Sequence, residues 1–217
     1  MRQSWFRRVT NRCRLFLDRR YNIEIFRQKG VQIGEKTGIQ VGCYLDPAYP
    51  HLIKIGNHVV LSNNVTILTH DASLDRFLGV CRIGLVEIKD YCFIGINAVI
   101  MPNVSIGPCS VVGAGSVVTK DVPPFTVVAG NPATVVCSLE DFINRHELQL
   151  QTNPRFPRTY FDSSNPSQQI KDELVSRLRN TTGYLVGSCK KAKNENRPGS
   201  NDSGENTIEA FRRLFSH

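Results

Sequence analysis

Residues 88–118 read IKDYCF IGINAV IMPNVS IGPCSV VGAGSV V, and this stretch decides the fold. An aliphatic residue occupies every sixth position: Ile88, Ile94, Ile100, Ile106, Val112 and Val118. Four residues after each of the first five comes a small or β-branched residue: Cys92, Ala98, Val104, Ser110 and Ser116. A period of six fits neither an α-helix nor an alternating strand. It is typical of a parallel β-helix made of short stacked repeats.

The same frame extends toward the N-terminus with two interruptions. Hexads begin at Ile33 and Ile39, pause over residues 46–52, resume at Ile55 and Leu61, and break again over residues 70–85. In such a fold each hexad is one short strand plus a turn, and three hexads form one coil of a triangular prism. The first-position aliphatics point inward, and several coils must stack because one coil cannot bury its own face.

The flanking segments predict helices and an irregular tail. We divide the chain into a basic amphipathic N-terminal helix (1–30), the β-helix domain (31–136), a C-terminal helical extension (137–185) and a largely disordered tail with one short helix (186–217). Within the extension, helices are expected from Ser138 to about residue 150 and from Ser167 to about residue 180. The VVAGNPA segment at 127–133 is interpreted as a loop.

The charge of the chain is concentrated at one end. Of the formal net charge of +8, residues 1–29 carry +7, from nine Arg or Lys against two acidic residues. This local basic segment argues against a nucleic-acid-binding body. We expect the N-terminal helix to pack on the domain or on a neighbouring subunit; peripheral contact with an anionic membrane surface is the alternative.

Several observations favour a cytoplasmic protein, with the inner face of the membrane as a further option. No apolar run reaches the roughly 18 residues of a transmembrane helix, and arginines interrupt the N-terminal segment, so we expect no signal peptide. The seven cysteines lack a CxxC pair, and two of them occupy the small-residue slot of the repeat, so reduced structural thiols are expected and a cysteine zinc site is not.

Three segments resemble a known family. LDPAYP at 45–50, VTILTHDAS at 65–73 and VVGAGSVVTKDVPPFTVVAGNPA at 111–133 are similar to the hexapeptide-repeat acyltransferases, in the branch of sugar and capsular polysaccharide O-acetyltransferases. The resemblance covers about residues 31–136. It implies a left-handed coil, a homotrimer with active sites between subunits, acetyl-CoA as acyl donor and a sugar or glycan as acceptor, with no metal.

In this family the second interruption carries a catalytic histidine, and His70 occupies that position. Acetyl-CoA is already an activated thioester, so the reaction needs no covalent enzyme intermediate, but it does need a base that removes the proton of the attacking hydroxyl. An unperturbed imidazole, with a pKa near ~6.5, supplies enough free base at neutral pH. Asp71 and Asp75 are candidates to orient the ring. Asp46, Asn64 and Asp71 are the predicted substrate-binding residues.

The resemblance also implies a CoA groove between neighbouring prisms. The predicted CoA-binding residues are Gly95, Ala114, Gly115, Thr119, Lys120, Asn131 and Pro132. Small residues would admit the pantetheine arm close to the backbone, and Lys120 would face a phosphate. Relatives often have Lys or Arg after the NPA segment, whereas this chain has Thr134, so Lys120 or a basic residue from the tail would have to replace it.

Other functions stay open at this point. Amino-sugar N-acetylation is the nearest alternative, and serine acetylation is disfavoured because the N-terminal segment is short. A γ-type carbonic anhydrase would need three histidines around one zinc ion, and the spacing of His51, His58 and His70 does not suit that. A non-catalytic β-helix scaffold would need neither a base nor a CoA groove.

Overall fold

The computed structural model describes residues 23–157, 160 and 166–186. Residues 1–22 of the predicted N-terminal helix (1–30) and residues 187–217 of the predicted tail therefore lie outside the described residues. By its internal contacts the chain divides into two compact units, one ending at Leu139 and the other beginning at Glu140.

The first unit is built from short strands that fall in threes along the chain. The strands are β1 (Gln32–Ile33), β2 (Gly38–Ile39), β3 (Tyr44–Leu45), β4 (Ile53–Ile55), β5 (Val60–Leu61), β6 (Thr66–Ile67), β7 (His70–Asp71), β8 (Arg82–Ile83), β9 (Val86–Ile88), β10 (Phe93–Ile94), β11 (Val99–Ile100), β12 (Val104–Ile106), β13 (Val111–Val112), β14 (Val117–Val118), β15 (Thr126–Gly130) and β16 (Ala133–Ser138).

Strands of successive coils pair in parallel and form three sheets. The strand orders are β1-β4-β9-β12 in the first sheet, β2-β5-β10-β13-β15-β16 in the second and β3-β6-β11-β14 in the third. First-position residues of successive coils lie in register, as in Ile39, Leu61, Ile94 and Val112 of the second sheet. The prediction of a parallel β-helix is confirmed at this level.

The core follows the hexad frame. Ile39, Leu61, Ile67, Ile94 and Ile100 at first positions are fully buried. The fifth positions are buried as well, and there the small polar Ser110 and Ser116 satisfy their hydroxyls on backbone carbonyls at 2.8 Å. Large and small side chains therefore alternate around each coil, which suits the close packing of a protein interior.

The fourth position of every hexad makes the turn. In the described part of the chain all nine of these residues have a positive φ: Lys36, Gly42, His58, Asn64, Tyr91, Asn97, Asn103, Cys109 and Gly115. A residue in the left-handed region bends the chain from one flat strand to the next face of the prism, and asparagine and glycine enter this region with little cost. We call the turns from the first sheet to the second, from the second to the third and from the third back to the first the first, second and third corners.

A short helix, α1 (Ile23–Gln28), closes the N-terminal end of the prism. Its Ile23 and Phe26 pack against the core. The Arg27 guanidinium donates hydrogen bonds to the carbonyl oxygens of Ile33 (2.8 Å) and Gly34 (3.1 Å) in the first coil. A terminal coil has no neighbour on one side, so its apolar interior and free carbonyls need such a cover.

Both predicted interruptions are real, but one predicted loop is wrong. The second interruption forms the antiparallel pair β7–β8 with a four-residue helix between them, α2 (Asp75–Leu78). The VVAGNPA segment, predicted as a loop, is mostly strand, because β15 adds to β13 in parallel and β16 then returns antiparallel to β15. Only Asn131 and Pro132 remain between the two strands, joined by a cis peptide bond.

The second unit is small. It contains most of α3 (Leu139–Thr152), then β17 (Arg155–Pro157), α4 (Gln168–Leu178) and β18 (Tyr184–Val186), with β17 and β18 parallel. Phe156 is buried between these elements, and the Arg177 guanidinium lies 4.6 Å from the centre of its ring. The Ser167 hydroxyl caps α4 by accepting from the N–H of Ile170. None of the helices described is long and apolar enough to cross a membrane.

Candidate active site

His70 stands where the third sheet gives way to the second interruption. It follows β6 by three residues and begins β7, where it is paired with Ile83 of β8. The antiparallel pairing fixes its backbone, and its side chain is 32% exposed. A base must meet both a buried partner and an incoming substrate, and this position at the third corner permits both.

Asp46 lies beneath His70 at the same corner of the preceding coil. Its Oδ2 accepts hydrogen bonds from the backbone N–H of Thr69 (2.9 Å), from the Thr69 hydroxyl (2.8 Å) and from His70 Nδ1 (2.5 Å). Its Oδ1 accepts from the N–H of Ala48 (3.0 Å). The sequence predicted an acceptor contact for Asp46, but the structure buries this residue completely and engages both oxygens with protein donors.

The hydrogen bonds keep Asp46 ionised despite its burial. Burial alone would raise the pKa of this carboxyl, but the donors from Thr69, Ala48 and His70 outweigh it and lower the pKa to about 2. An ionised carboxylate only accepts, so His70 Nδ1 must carry a proton. The other ring nitrogen, Nε2, is then the basic one in the neutral imidazole, and the carboxylate stabilises the imidazolium that forms when Nε2 takes up a proton.

Tyr49 borders the same histidine. The Tyr49 and His70 ring centres are 5.8 Å apart at an interplanar angle of 70°, an edge-to-face contact. Sequence reasoning missed both Tyr49 and the double donor Thr69. The signals were present: a tyrosine within the proline-broken LDPAYP segment, and a threonine directly before the histidine.

Asp71 does not orient His70 through a hydrogen bond. Its Oδ1 instead accepts from the N–H of Ser73 (2.9 Å). In the antiparallel register of β7 and β8, Asp71 lies opposite Arg82. The Ser73 hydrogen bonds, followed by the Arg82 and His70 charges, lower the pKa of Asp71. Asp75, the other orienting candidate, is the first residue of α2.

The other predicted substrate and CoA residues lie at more than one corner. Asn64, Ala114 and Gly115 are exposed at the second corner, where backbone hydrogen bonds join one coil to the next, such as Gly115 N–H to the Ile96 carbonyl at 2.8 Å. Gly95 is buried there: a Cβ on it would lie 2.5 Å from the Ala114 nitrogen, so coil stacking alone accounts for its small size.

Thr119 and Lys120 follow β14 at the third corner and are exposed, whereas Asn131 and Pro132 form the exposed turn of the β15–β16 hairpin. Within one chain, Ala114 and Gly115 come before the third-sheet strand of their coil, and His70 comes after the third-sheet strand of its own. The structure therefore brings Asp46 and His70 together but separates His70 from Ala114 and Gly115 across the width of the third sheet.

Among the described histidines, His58 lies at a different corner of the prism from His70. His58 stacks on Tyr91 at the first corner, with ring centres 4.5 Å apart. Among the described residues, no group of three or more His, Cys, Asp or Glu side chains is arranged to hold a metal ion.

Known proteins share the repeat region. The family model for the bacterial transferase hexapeptide (six repeats) matches residues 86–120. The chain is 35% identical to YvoF of Bacillus subtilis (strain 168) over 115 residues, which are 53% of this chain and 64% of that protein. It is 38% identical to Protein CapG of Staphylococcus aureus over 121 residues, 54% of this chain and 70% of that protein.

A third relative is a galactoside O-acetyltransferase of Lactococcus lactis subsp. lactis (strain IL1403), 39% identical over 119 residues, 54% of this chain and 56% of that protein. The chain thus spans under two thirds of YvoF and of this acetyltransferase, and somewhat more of CapG. The hexad frame, the stacked parallel coils and the extent of the match to CapG all point to the same family. This chain belongs to the hexapeptide-repeat transferase family.

Proposed function

We propose that this protein transfers an acetyl group from acetyl-CoA to a hydroxyl of a sugar, with His70 as general base. The observation that carries the proposal is the hydrogen bond from His70 Nδ1 to the buried Asp46 carboxylate, since it leaves Nε2 as the basic nitrogen of a partly exposed ring. The name of the Lactococcus lactis relative, a galactoside O-acetyltransferase, supports a sugar acceptor.

In this mechanism His70 acts twice. Its Nε2 removes the proton of the acceptor hydroxyl as that oxygen attacks the acetyl carbonyl carbon. The imidazolium then returns the proton to the sulfur of the departing CoA, so the base is regenerated and no covalent enzyme intermediate is needed. Asp46 holds the ring in the productive tautomer and offsets the positive charge during the step, in a position where it is shielded from water.

The separation of the proposed base from the predicted CoA-binding residues within one chain supports a homotrimer. His70 belongs to the third corner, and the exposed Ala114 and Gly115 belong to the second corner. A groove between the second corner of one copy and the third corner of the next would unite them, with Thr119 and Lys120 beside the base. The left-handed sense of the coil, a cytoplasmic location and a membrane contact through the N-terminal segment are further parts of this proposal.

The test is an acetyl-transfer assay that follows release of the CoA thiol. The acceptors are galactosides and other neutral sugars, amino sugars and L-serine, and thermal melts are recorded with and without acetyl-CoA. We expect transfer to a neutral sugar, and stabilisation by about 2.7 kcal/mol at about 100 times the dissociation constant. Transfer only to amino sugars would contradict O-acetylation. If the protein shows no acetyl transfer and no stabilisation by acetyl-CoA, a non-catalytic scaffold would be favoured.

A further inference from the structure

Tyr49 lies between two histidines on the rim of the site. Its ring makes an edge-to-face contact with His70 (5.8 Å between centres) and another with His51 (6.4 Å, interplanar angle 78°). It is only half-buried and is absent from the hydrophobic core of the prism. Within the described structure its hydroxyl has no hydrogen-bond partner. Packing in the core therefore does not account for an aromatic residue at this position.

The segment that carries Tyr49 is fixed by the same carboxylate that orients the base. Asp46 Oδ2 accepts from His70 Nδ1, while its Oδ1 accepts from the N–H of Ala48, the residue before Tyr49. On the other side, the Tyr49 carbonyl accepts from the N–H of Leu52 (3.0 Å) in a short 3₁₀ turn over Pro50–Leu52. The backbone that carries Tyr49 and the ring of His70 are thus both anchored to the buried Asp46 carboxylate.

We propose that Tyr49 binds the acceptor: a pyranose ring packs its C–H face against the Tyr49 ring while one of its hydroxyls approaches His70 Nε2. This inference rests on the proposed function and names the residue that selects a cyclic acceptor at the same site. Aromatic rings present an apolar, electron-rich face to such C–H groups, and the phenol hydroxyl supplies a polar group at the edge. An acyclic acceptor such as L-serine offers no comparable face and gains little from Tyr49.

The test compares Tyr49→Leu, which removes the flat ring, with Tyr49→Phe, which keeps it. We expect Tyr49→Leu to raise the KM for the best sugar acceptor by about tenfold, in line with the loss of one aromatic stacking contact. Tyr49→Phe should stay within about threefold on the same grounds. The KM for acetyl-CoA and the acetyl-CoA-dependent rise in melting temperature should not change in either variant. Phe93→Ala, which truncates an exposed aromatic on the second sheet, is the matched control and should resemble wild type.

Three outcomes would overturn the inference. An unchanged acceptor KM in Tyr49→Leu, with wild type active, rejects Tyr49 as an acceptor-binding residue and leaves the proposed function standing. A fall in kcat with a shifted pH profile but unchanged KM values would make Tyr49 a positioning residue for His70 alone. If wild type acetylates no sugar at all, the proposed function fails and the inference falls with it.

Discussion

Replacing Asp46 with asparagine tests the geometry of the site at its buried end. Three donors converge on Oδ2 and one on Oδ1, so an amide must direct its NH₂ group either at Thr69 and His70 or at the N–H of Ala48. Both placements oppose donor to donor, and both remove the negative charge that faces the imidazole. The variant therefore changes stability and catalysis together.

The structure sets the size of the effect on stability. The pKa of Asp46 is lowered from 3.8 to about 2 in the folded protein. A lowering of this size corresponds to roughly 2 kcal/mol of stability, fully present above the unfolded value and lost as the pH falls through the folded value. We expect Asp46→Asn to lower the free energy of unfolding by about that amount at pH 7. The difference from wild type should shrink between pH 4 and pH 2.

The effect on catalysis follows from the lost counter-charge. Neutralising the carboxylate that orients a catalytic histidine has cost about 10⁴-fold in a serine protease, where the wrong tautomer results. Here one placement of the amide preserves the tautomer, so we expect kcat to fall by about 10²- to 10³-fold.

The measurements are urea unfolding at several pH values and acetyl-transfer rates on one protein preparation. Asp90→Asn is the control, since the Asp90 Oδ1 accepts from the Asn57 N–H at 2.8 Å, away from His70 at the first corner. It should lose stability and keep its kcat. A kcat of Asp46→Asn within twofold of wild type would refute the role assigned to the carboxylate.

Two further predictions concern the prism itself. Gly95→Ala places a Cβ 2.5 Å from the Ala114 nitrogen and should cost about 1–3 kcal/mol in thermal melts, whereas Gly38→Ala meets nothing within 4 Å and should cost far less; equal losses would contradict the stacking account. Burial raises the pKa of Cys92 and of Cys109 to about 12, so iodoacetamide at pH 8 should alkylate the exposed Cys81 of the native protein long before either of them, as read by peptide mass mapping. Equal labelling of the three thiols in the folded protein would contradict their burial.

The sequence predicts the parallel β-helix well because the fold is periodic. Each hexad has an inward-facing aliphatic first residue and a small or β-branched fifth residue, so one frame locates the buried positions from Ile39 to Val118. The frame gives no warning of the β15–β16 hairpin, because that segment leaves the repeat. Its valines are typical of a strand, whereas its Gly-Asn-Pro sequence is typical of a turn.

The sequence predicts only those parts of the site that depend on local position in the repeat. The position of His70 is local information, since it stands in a break of the repeat. The role of Asp46 is not, because the two residues are 24 apart and meet only when successive coils stack. Tyr49 and Thr69 depend on the same stacking. The likeness to a known family assigned Asp46 to the acceptor, whereas the geometry turns its carboxylate toward the base.

The most direct test of this account is the rate of acetyl transfer by His70→Ala to the best sugar acceptor. The variant and wild type are compared at saturating acetyl-CoA and at equal concentrations of folded protein. Loss of a general base costs typically about 10²- to 10⁴-fold, so we expect kcat to fall within that range while acetyl-CoA still raises the melting temperature as in wild type. A His70→Ala protein that transfers acetyl at the wild-type rate would contradict the assignment of His70 as the base.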